Sequence, residues 1–285
     1  MKNYFEDVWV LKERDWHEYV PHHYHITQIG VGHQDLNPNT HYGPDLRQAW
    51  YRIKKPVEMQ VGSKGNLAMG TLLHAALQDI QKKNVPNSII EFPMFGKHED
   101  ITYSGSIDIV EFVEGSFNPI RMKIIDIKSA SDHTLPKHET DYNPTYFAQL
   151  ILYTYILKTF YLIDVEIDKL EIWYVNKHNL ATHKIRKEYD HEEGKRFFEE
   201  FLSRCHYLDE CIFSNTLPDR EPMKWCIYCD WRMLCTNNCV SEEDVIPISE
   251  SDVEDAYRDH TGKNPYWRGQ RTKSFIAFRA GYKIE

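Results

Sequence analysis

A chain of 285 residues is long enough to bury a full α/β core, and 41% apolar against 27% charged residues is the balance of a globular protein, which excludes a disordered or fibrous one. The formal charge of −9 excludes a protein that coats nucleic acid by bulk positive charge. It leaves room for a local grip, because carboxylates that hold a cation count as negative until it binds.

The opening MKNYFEDVWVLKERDW is too charged for a secretory signal, so an intracellular, cytoplasmic location is expected. Residues 1–43 are rich in His, Asn, Pro and Tyr without a clear period and read as an irregular segment. Residues 45–53 (DLRQAWYRI) form a short amphipathic helix ended by Pro56. A longer helix is predicted from Ser63 to about Lys82, with Leu67, Met69, Leu72, Leu73, Ala76, Leu77 and Ile80 on one broad face. Strand signals rich in Ile, Val and Phe follow at 88–93, 101–113 and 120–128, with Gly115 and Asn118-Pro119 breaking the second from the third. The run 146–163 is apolar on nearly every side, yet Gln149, two threonines and Lys158 interrupt it, nothing flanks it as an anchor would, and the helix predicted there spans 144–162. A helix buried in a soluble core is expected there, with no membrane contact. A strand at 170–176 and a charged helix from about 190 to 211 complete an α-β-β-β-α-β order, an α/β fold with a central mixed sheet flanked by helices.

Beyond Leu217-Pro218 the character changes to a cysteine cluster, an acidic run, and a basic, aromatic tail. The expected organisation is therefore an irregular segment (1–43), a core (44–211), a cysteine segment packed on it (212–240) and a tail (241–285).

Polar groups sit where β-rich apolar sequence should exclude them. Asp108, in Gly105-Ser-Ile-Asp108, interrupts one strand; Asp126 and Lys128, in Ile124-Ile-Asp126-Ile-Lys128, share one side-chain parity and so one sheet face. Burying acids there is costly unless a cation pairs with them. Two carboxylates, a carbonyl and water suit a hard ion such as Mg²⁺, leaving Lys128 to hold an attacking water or offset phosphate charge. The plain alternative is a buried Asp–Lys ion pair. Upstream, Gly70-Thr-Leu-Leu-His74 places a histidine within the long helix; downstream, Gln149-Leu-Ile-Leu-Tyr153 puts an amide and a phenol on one helix face. Each part has a structural explanation of its own, and the ordered set is what carries the reading.

That ordered set resembles the RecB-like branch of the PD-(D/E)XK nucleases, which includes AddB and RecB nuclease domains and the small CRISPR-associated exonucleases, over about residues 44–240. The resemblance implies a restriction-endonuclease-like core with a C-terminal cysteine-cluster extension, making 44–211 the nuclease core. It implies His74, Asp108, Asp126 and the main-chain carbonyl of Ile127 as metal ligands, Lys128 as the catalytic lysine, and Gln149 and Tyr153 as the family's helix motif. The implied chemistry is metal-assisted phosphodiester hydrolysis with Mg²⁺ or Mn²⁺, a histidine ligand tilting the choice toward Mn²⁺.

All six cysteines lie between Cys205 and Cys239, and Cys226, Cys229, Cys235 and Cys239 give C-x2-C-x5-C-x3-C. In an intracellular chain such spacing points to metal, and by itself makes zinc a serious choice. The triplet Cys226, Cys229, Cys235 resembles the one that holds a 4Fe–4S cluster in AddB-type and CRISPR-associated relatives, which implies iron–sulfur. Those relatives draw a fourth cysteine from a stretch resembling Asp45-Leu-Arg-Gln-Ala-Trp-Tyr, where this chain has Asp45; Cys239, Asp45 and Cys211 all stay open as the fourth ligand.

Basic residues interleaved with aromatics grip single-stranded DNA. Lys54, Lys55, Tyr146, Trp267, Arg268, Arg271 and Lys273 are candidates, against a solvated tail that pairs with the acidic run. The expected activity is a DNA exonuclease on single-stranded or resected ends, with 5′→3′ action implied by the resemblance, in repair, recombination or mobile-element replication. An endonuclease, a flap or RNA nuclease with the same site, and a non-catalytic zinc-knuckle binding module are the alternatives.

Overall fold

The computed structural model describes residues 21–32, 45–55, 61–115, 119–132, 134–138, 142–161 and 164–221, then Cys229, Trp231, Cys235, Glu254, Arg258, 264–267, Gln270 and Arg271, with backbone alone at 61–67, Trp267 and Gln270. Most of the N-terminal segment, the acidic run and the tail lie outside the described residues, as do Cys226, Cys239, Arg268 and Lys273.

Among the described residues, six strands form one mixed sheet in the order β1–β3–β4–β5–β6, with β2 also on β3. β1 (His23–His25) runs parallel to β3 (Ile101–Phe112), while β2 (Ser88–His98) and β4 (Ile120–Ala130) run antiparallel to it. β5 (Val165–Asn176) lies parallel to β4, and β6 (Thr182–Lys187) closes that edge antiparallel to β5. Two segments depart from expectation. Residues 21–32, placed in an irregular segment, carry β1 and a single helical turn, α1 (Ile26–Ile29), started by a His25–Gln28 capping box. β6 was not expected, and the strand foreseen at 170–176 begins earlier, at Val165.

A parallel β4–β5 pair needs a crossover, and α4 (Pro144–Ile156) supplies it. Its start is fixed by the Asn143 side chain, which accepts from the Thr145 N–H, and by Pro144, which needs no partner in the first turn. α4 buries Phe147, Ala148, Leu150, Ile151, Leu152, Tyr153 and Ile156, so the apolar run is a core helix. No helix of the described residues is long and apolar enough to cross a membrane. The helix expected to reach 162 changes to a π-helical turn at Leu157–Tyr161. Tyr161 there bonds both the N–H and the carbonyl of Phe95, covering part of the β2 edge.

The sheet has helices on both faces. The larger core joins Ile107, Val110, Met122 and Ile124 to α4, to α2 (Leu46–Lys54) and to α5 (His191–Ser214). On the opposite face, Leu73 and Leu77 of α3 (Val61–Asn84) pack on Ile109, Ile125, Ile127 and Val175. At roughly 1.5–3 kcal/mol per fully buried aliphatic or aromatic side chain, these two cores hold the sheet rigid between the helices.

Candidate active site

β3 and β4 pair from Phe112↔Met122 to Ile109↔Ile125, and beyond Ile109↔Ile125 β3 turns to β1 while β4 stays with β5. Asp108 and Asp126 are the first residues past the last rung, so the fork places both carboxylates at the point where the strands part. The Asp108 side chain bridges the gap, its Oδ2 accepting from the Ile127 N–H at 2.7 Å. Ile127 thus reaches the site through its main chain, its side chain being wholly buried in the α3-side core. From α3, His74 Nδ1 comes to 3.5 Å from Asp108 Oδ2. Lys128 Nζ lies 3.1 Å and 2.9 Å from the two Asp126 oxygens. Of the predicted set, His74, Asp108, Asp126, Ile127 and Lys128 are brought together.

Charge is unbalanced at this fork. Asp126 is buried, and its Oδ2, though close to Lys128, has no hydrogen bond of good angle. Burial, opposed by Lys128 and reinforced by Asp108, pushes its carboxyl up to about 6. Lys128 moves in the direction that keeps it protonated: burial acts against its charge, but Asp126 and Asp108 outweigh it. One ammonium therefore serves two carboxylates, and Asp126 gains less from it than burial takes away. Two carboxylates with too little positive charge suit a divalent cation in kind, though the donor atoms of His74, Asp108 and Asp126 do not all lie within 4.8 Å of one another.

α4 closes the site from the larger-core face. Tyr153 is buried with its hydroxyl on the Gln149 side chain and the Ser106 main chain, and burial followed by the nearby Asp126 charge raises its pKa strongly. The Tyr146 ring centroid lies 4.9 Å from Lys128 Nζ. Two motif glycines have local reasons. A Cβ on Gly105 would stand 2.9 Å from Tyr153 Cε1, and one on Gly70 would stand 3.3 Å from Ser129 Oγ, where α3 approaches β4. Sequence reasoning passed over Tyr174, whose hydroxyl accepts from the Asn143 N–H at 3.3 Å, and Glu91, an acid interrupting Ser88-Ile-Ile-Glu91-Phe much as Asp108 interrupts its own strand.

The other candidates scatter. Lys54 and Lys55 are exposed at the end of α2, and Arg271 is exposed in a short hairpin of β7 (Tyr266–Trp267) with β8 (Gln270–Arg271). Cys229 and Cys235 are not in disulfides and are half-buried. Their segment docks on α2: buried Trp231 donates from Nε1 to the Lys55 carbonyl at 2.9 Å, and Arg47 reaches Cys235 Sγ at 3.7 Å. Among the described residues, a group of donor atoms within 4.8 Å of one another forms at Glu99, Asp100 and His206, on the surface and apart from every predicted ligand.

Two solved structures resemble the chain. One, described as SSO0001, has 16% identity and a TM-score of 0.48, covering 85% of this chain and 98% of the other. The second, a Eubacterium rectale protein provisionally named an exonuclease, has 14% identity and a TM-score of 0.46, covering 89% and 98%. Comparison with curated proteins returns no match. Residues 81–236 match the family model of the PD-(D/E)XK nuclease superfamily, a span that takes in Asp108, Asp126, Lys128, Gln149 and Tyr153 and leaves His74 outside. With that match over more than half its length and a mixed sheet flanked by helices beneath it, the chain belongs to the PD-(D/E)XK nuclease superfamily.

Proposed function

We propose that the chain is a metal-dependent DNA exonuclease of RecB-like type, acting on single-stranded or resected ends, with its centre at the β3–β4 fork. The observation that carries the reading is the fork itself: Asp108 and Asp126 at the point of strand separation, with Lys128 paired to Asp126 and drawn by the charge of both acids. Membership of the superfamily indicates a phosphodiester hydrolase that uses divalent metal ions on a nucleic-acid substrate. DNA ends, 5′→3′ direction and a role in repair, recombination or mobile-element replication are our reading beyond that.

Asp108, Asp126 and the Ile127 main chain, with His74, would hold the ion. When bound, it supplies Lewis-acid polarisation of the scissile phosphate and a more acidic water. Lys128, kept protonated by both carboxylates, offsets charge on the phosphate and orients the attacking water. Gln149 and Tyr153 fix the floor of the site, Tyr153 remaining a neutral hydrogen-bonding phenol at any working pH because burial and Asp126 oppose its ionisation. Tyr146 beside Lys128 offers a ring on which a base can stack.

For the cysteine segment we propose a 4Fe–4S cluster, with zinc the alternative, on Cys226, Cys229, Cys235 and Cys239. Asp45 is engaged as the N-cap of α2, accepting from the Arg47 N–H at 2.9 Å, and Cys211 is packed in the larger core, which favours Cys239 as the fourth ligand. The organisation follows: a nuclease core at 44–211, a metal segment at 212–240 docked on it, and a tail at 241–285.

The test is cleavage of end-labelled single- and double-stranded DNA with Mg²⁺ or Mn²⁺, beside a circular single strand. Nucleotides released stepwise from the 5′ end, with the circle intact, are expected. A cut circle would make the enzyme an endonuclease, and no cleavage with either ion would overturn the reading.

A further inference from the structure

Glu91 sits in the body of β2 with φ +51, a left-handed conformation that side chains with a Cβ rarely adopt. The other non-glycine residues with positive φ among those described are His22, Glu99, Leu180 and Asn215, none of them inside a strand or helix. The β2–β3 ladder pairs Ile90 with Ile109 and Phe92 with Ile107, so the strained residue stands across from Asp108 at the one rung between them that does not pair. β3 answers with its own irregularity. Ile107 and Val110 face the larger core while Ile109 faces the smaller one on the other side, so the alternation slips once, at Asp108.

The Glu91 carboxylate is held at both oxygens. Oε1 accepts from Gln78 Nε2 at 2.6 Å and Oε2 from Ser106 Oγ at 2.7 Å. Gln78 is buried on α3 one turn beyond His74, and Ser106 is two residues before Asp108. One side chain therefore ties the helix that carries His74 to the strand that carries Asp108, and the β2–β3 ladder is interrupted at that residue's own rung. Strain held by such over-determined contacts is a pointer to function.

We infer that Glu91 is a positioning residue of the nuclease centre, setting the distance between His74 and Asp108 through Gln78 and Ser106. This rests on the reading of the fork as the metal site. Glu91 acts through its neighbours, as partners behind metal ligands do; loss of such partners lowers metal affinity or turnover by about 10- to 100-fold.

Four variants test it, with Mn²⁺ affinity measured calorimetrically without DNA, and kcat and KM measured for single-stranded DNA. Glu91→Gly removes the clamp while suiting the left-handed backbone; it should weaken Mn²⁺ binding and kcat by about tenfold or more, with KM little changed. Glu91→Gln keeps an acceptor for Gln78 and a donor for Ser106 and should restore most of both. Gln78→Leu should reproduce the loss, and the double variant Glu91→Gly with Gln78→Leu should be no worse than either alone, since both break one link. Wild-type Mn²⁺ affinity and kcat in Glu91→Gly, or in Gln78→Leu if the first does not fold, would overturn the inference. Asp108→Asn separates the underlying reading: if it cleaves DNA like the wild type, the fork is not the nuclease centre, whatever Glu91 does.

Discussion

Asp126 and Lys128 look at first like a buried ion pair, and the two readings of that pair make opposite forecasts. A structural pair stabilises the fold, and breaking it costs several kcal/mol. Asp126 is instead held above its ordinary range, to about 6 from 3.8, because burial and Asp108 outweigh Lys128. Its protonated form is the one the fold prefers. The folded protein therefore gains stability from this group as pH falls through 6 toward 3.8, and carries its charge at a cost above 6. The cost is roughly 1–3 kcal/mol. In chelator at pH 7 to 8, Asp126→Asn should melt above the wild type, the difference shrinking as pH is lowered through 6; a lower melting temperature at neutral pH would favour the structural pair. In activity, Asp126→Ala and Asp108→Ala should abolish cleavage, each removing a carboxylate ligand. Lys128→Ala should bind metal and lose most turnover. His74→Ala should be milder with Mg²⁺, for which an imidazole is a weaker ligand than a carboxylate. Wild-type cleavage by Lys128→Ala would sink these assignments.

Elements bring these residues together, and their close approaches have a measurable cost. Gly105 of β3 lies under Tyr153 of α4, and an added Cβ would meet Tyr153 Cε1 at 2.9 Å and Ile26 Cδ1 at 3.3 Å. Tyr153 is buried and cannot swing aside, so Gly105→Ala should destabilise by about 1–3 kcal/mol. It should also lower turnover by displacing the Gln149–Tyr153 pair; thermal melting beside single-turnover cleavage checks both, and an unchanged melting point would show the contact to be loose. The elements that carry the site were legible before the structure because their signals are local. α3 has the helical period, α4 is a long apolar run broken only by a few polar residues, and β3 and β4 are apolar runs in which an acid stands out. β1 was not legible, because three residues that pair with Thr102–Ser104 only through the tertiary fold leave no local pattern. Nor was β6, an edge strand reading Thr-His-Lys-Ile-Arg-Lys, where Ile185 alone faces the core. Glu91 was hidden for another reason: a backbone dihedral cannot be read from Ser-Ile-Ile-Glu-Phe-Pro.

Across the whole molecule, the segment that carries Cys229 and Cys235 returns to α2, near the start of the chain's α/β core. Arg47 of α2 holds the Pro218 carbonyl at 2.6 Å as well as Cys235, Arg204 and the Leu46 N–H hold Glu221, and Trp231 closes over Lys55. A metal centre on these cysteines would staple the segment to the core, far in sequence from the acids proposed to hold the hydrolytic ion. The choice of fourth ligand then separates into clean outcomes. Asp45 is buried, and its carboxyl is pushed up to about 6, burial being opposed by the Arg47 N–H bond and reinforced by Glu221. As a helix cap alone, its replacement by Ala should cost about 1 kcal/mol of stability and leave the metal content of the purified protein unchanged. Cys239→Ser should instead lower that content and bleach any iron–sulfur absorption, as should Cys229→Ser and Cys235→Ser. Metal lost on Asp45→Ala and kept on Cys239→Ser would make Asp45 the ligand. Metal analysis of protein purified without oxygen decides between iron and zinc, and finding neither would overturn the proposal of a metal centre on these cysteines.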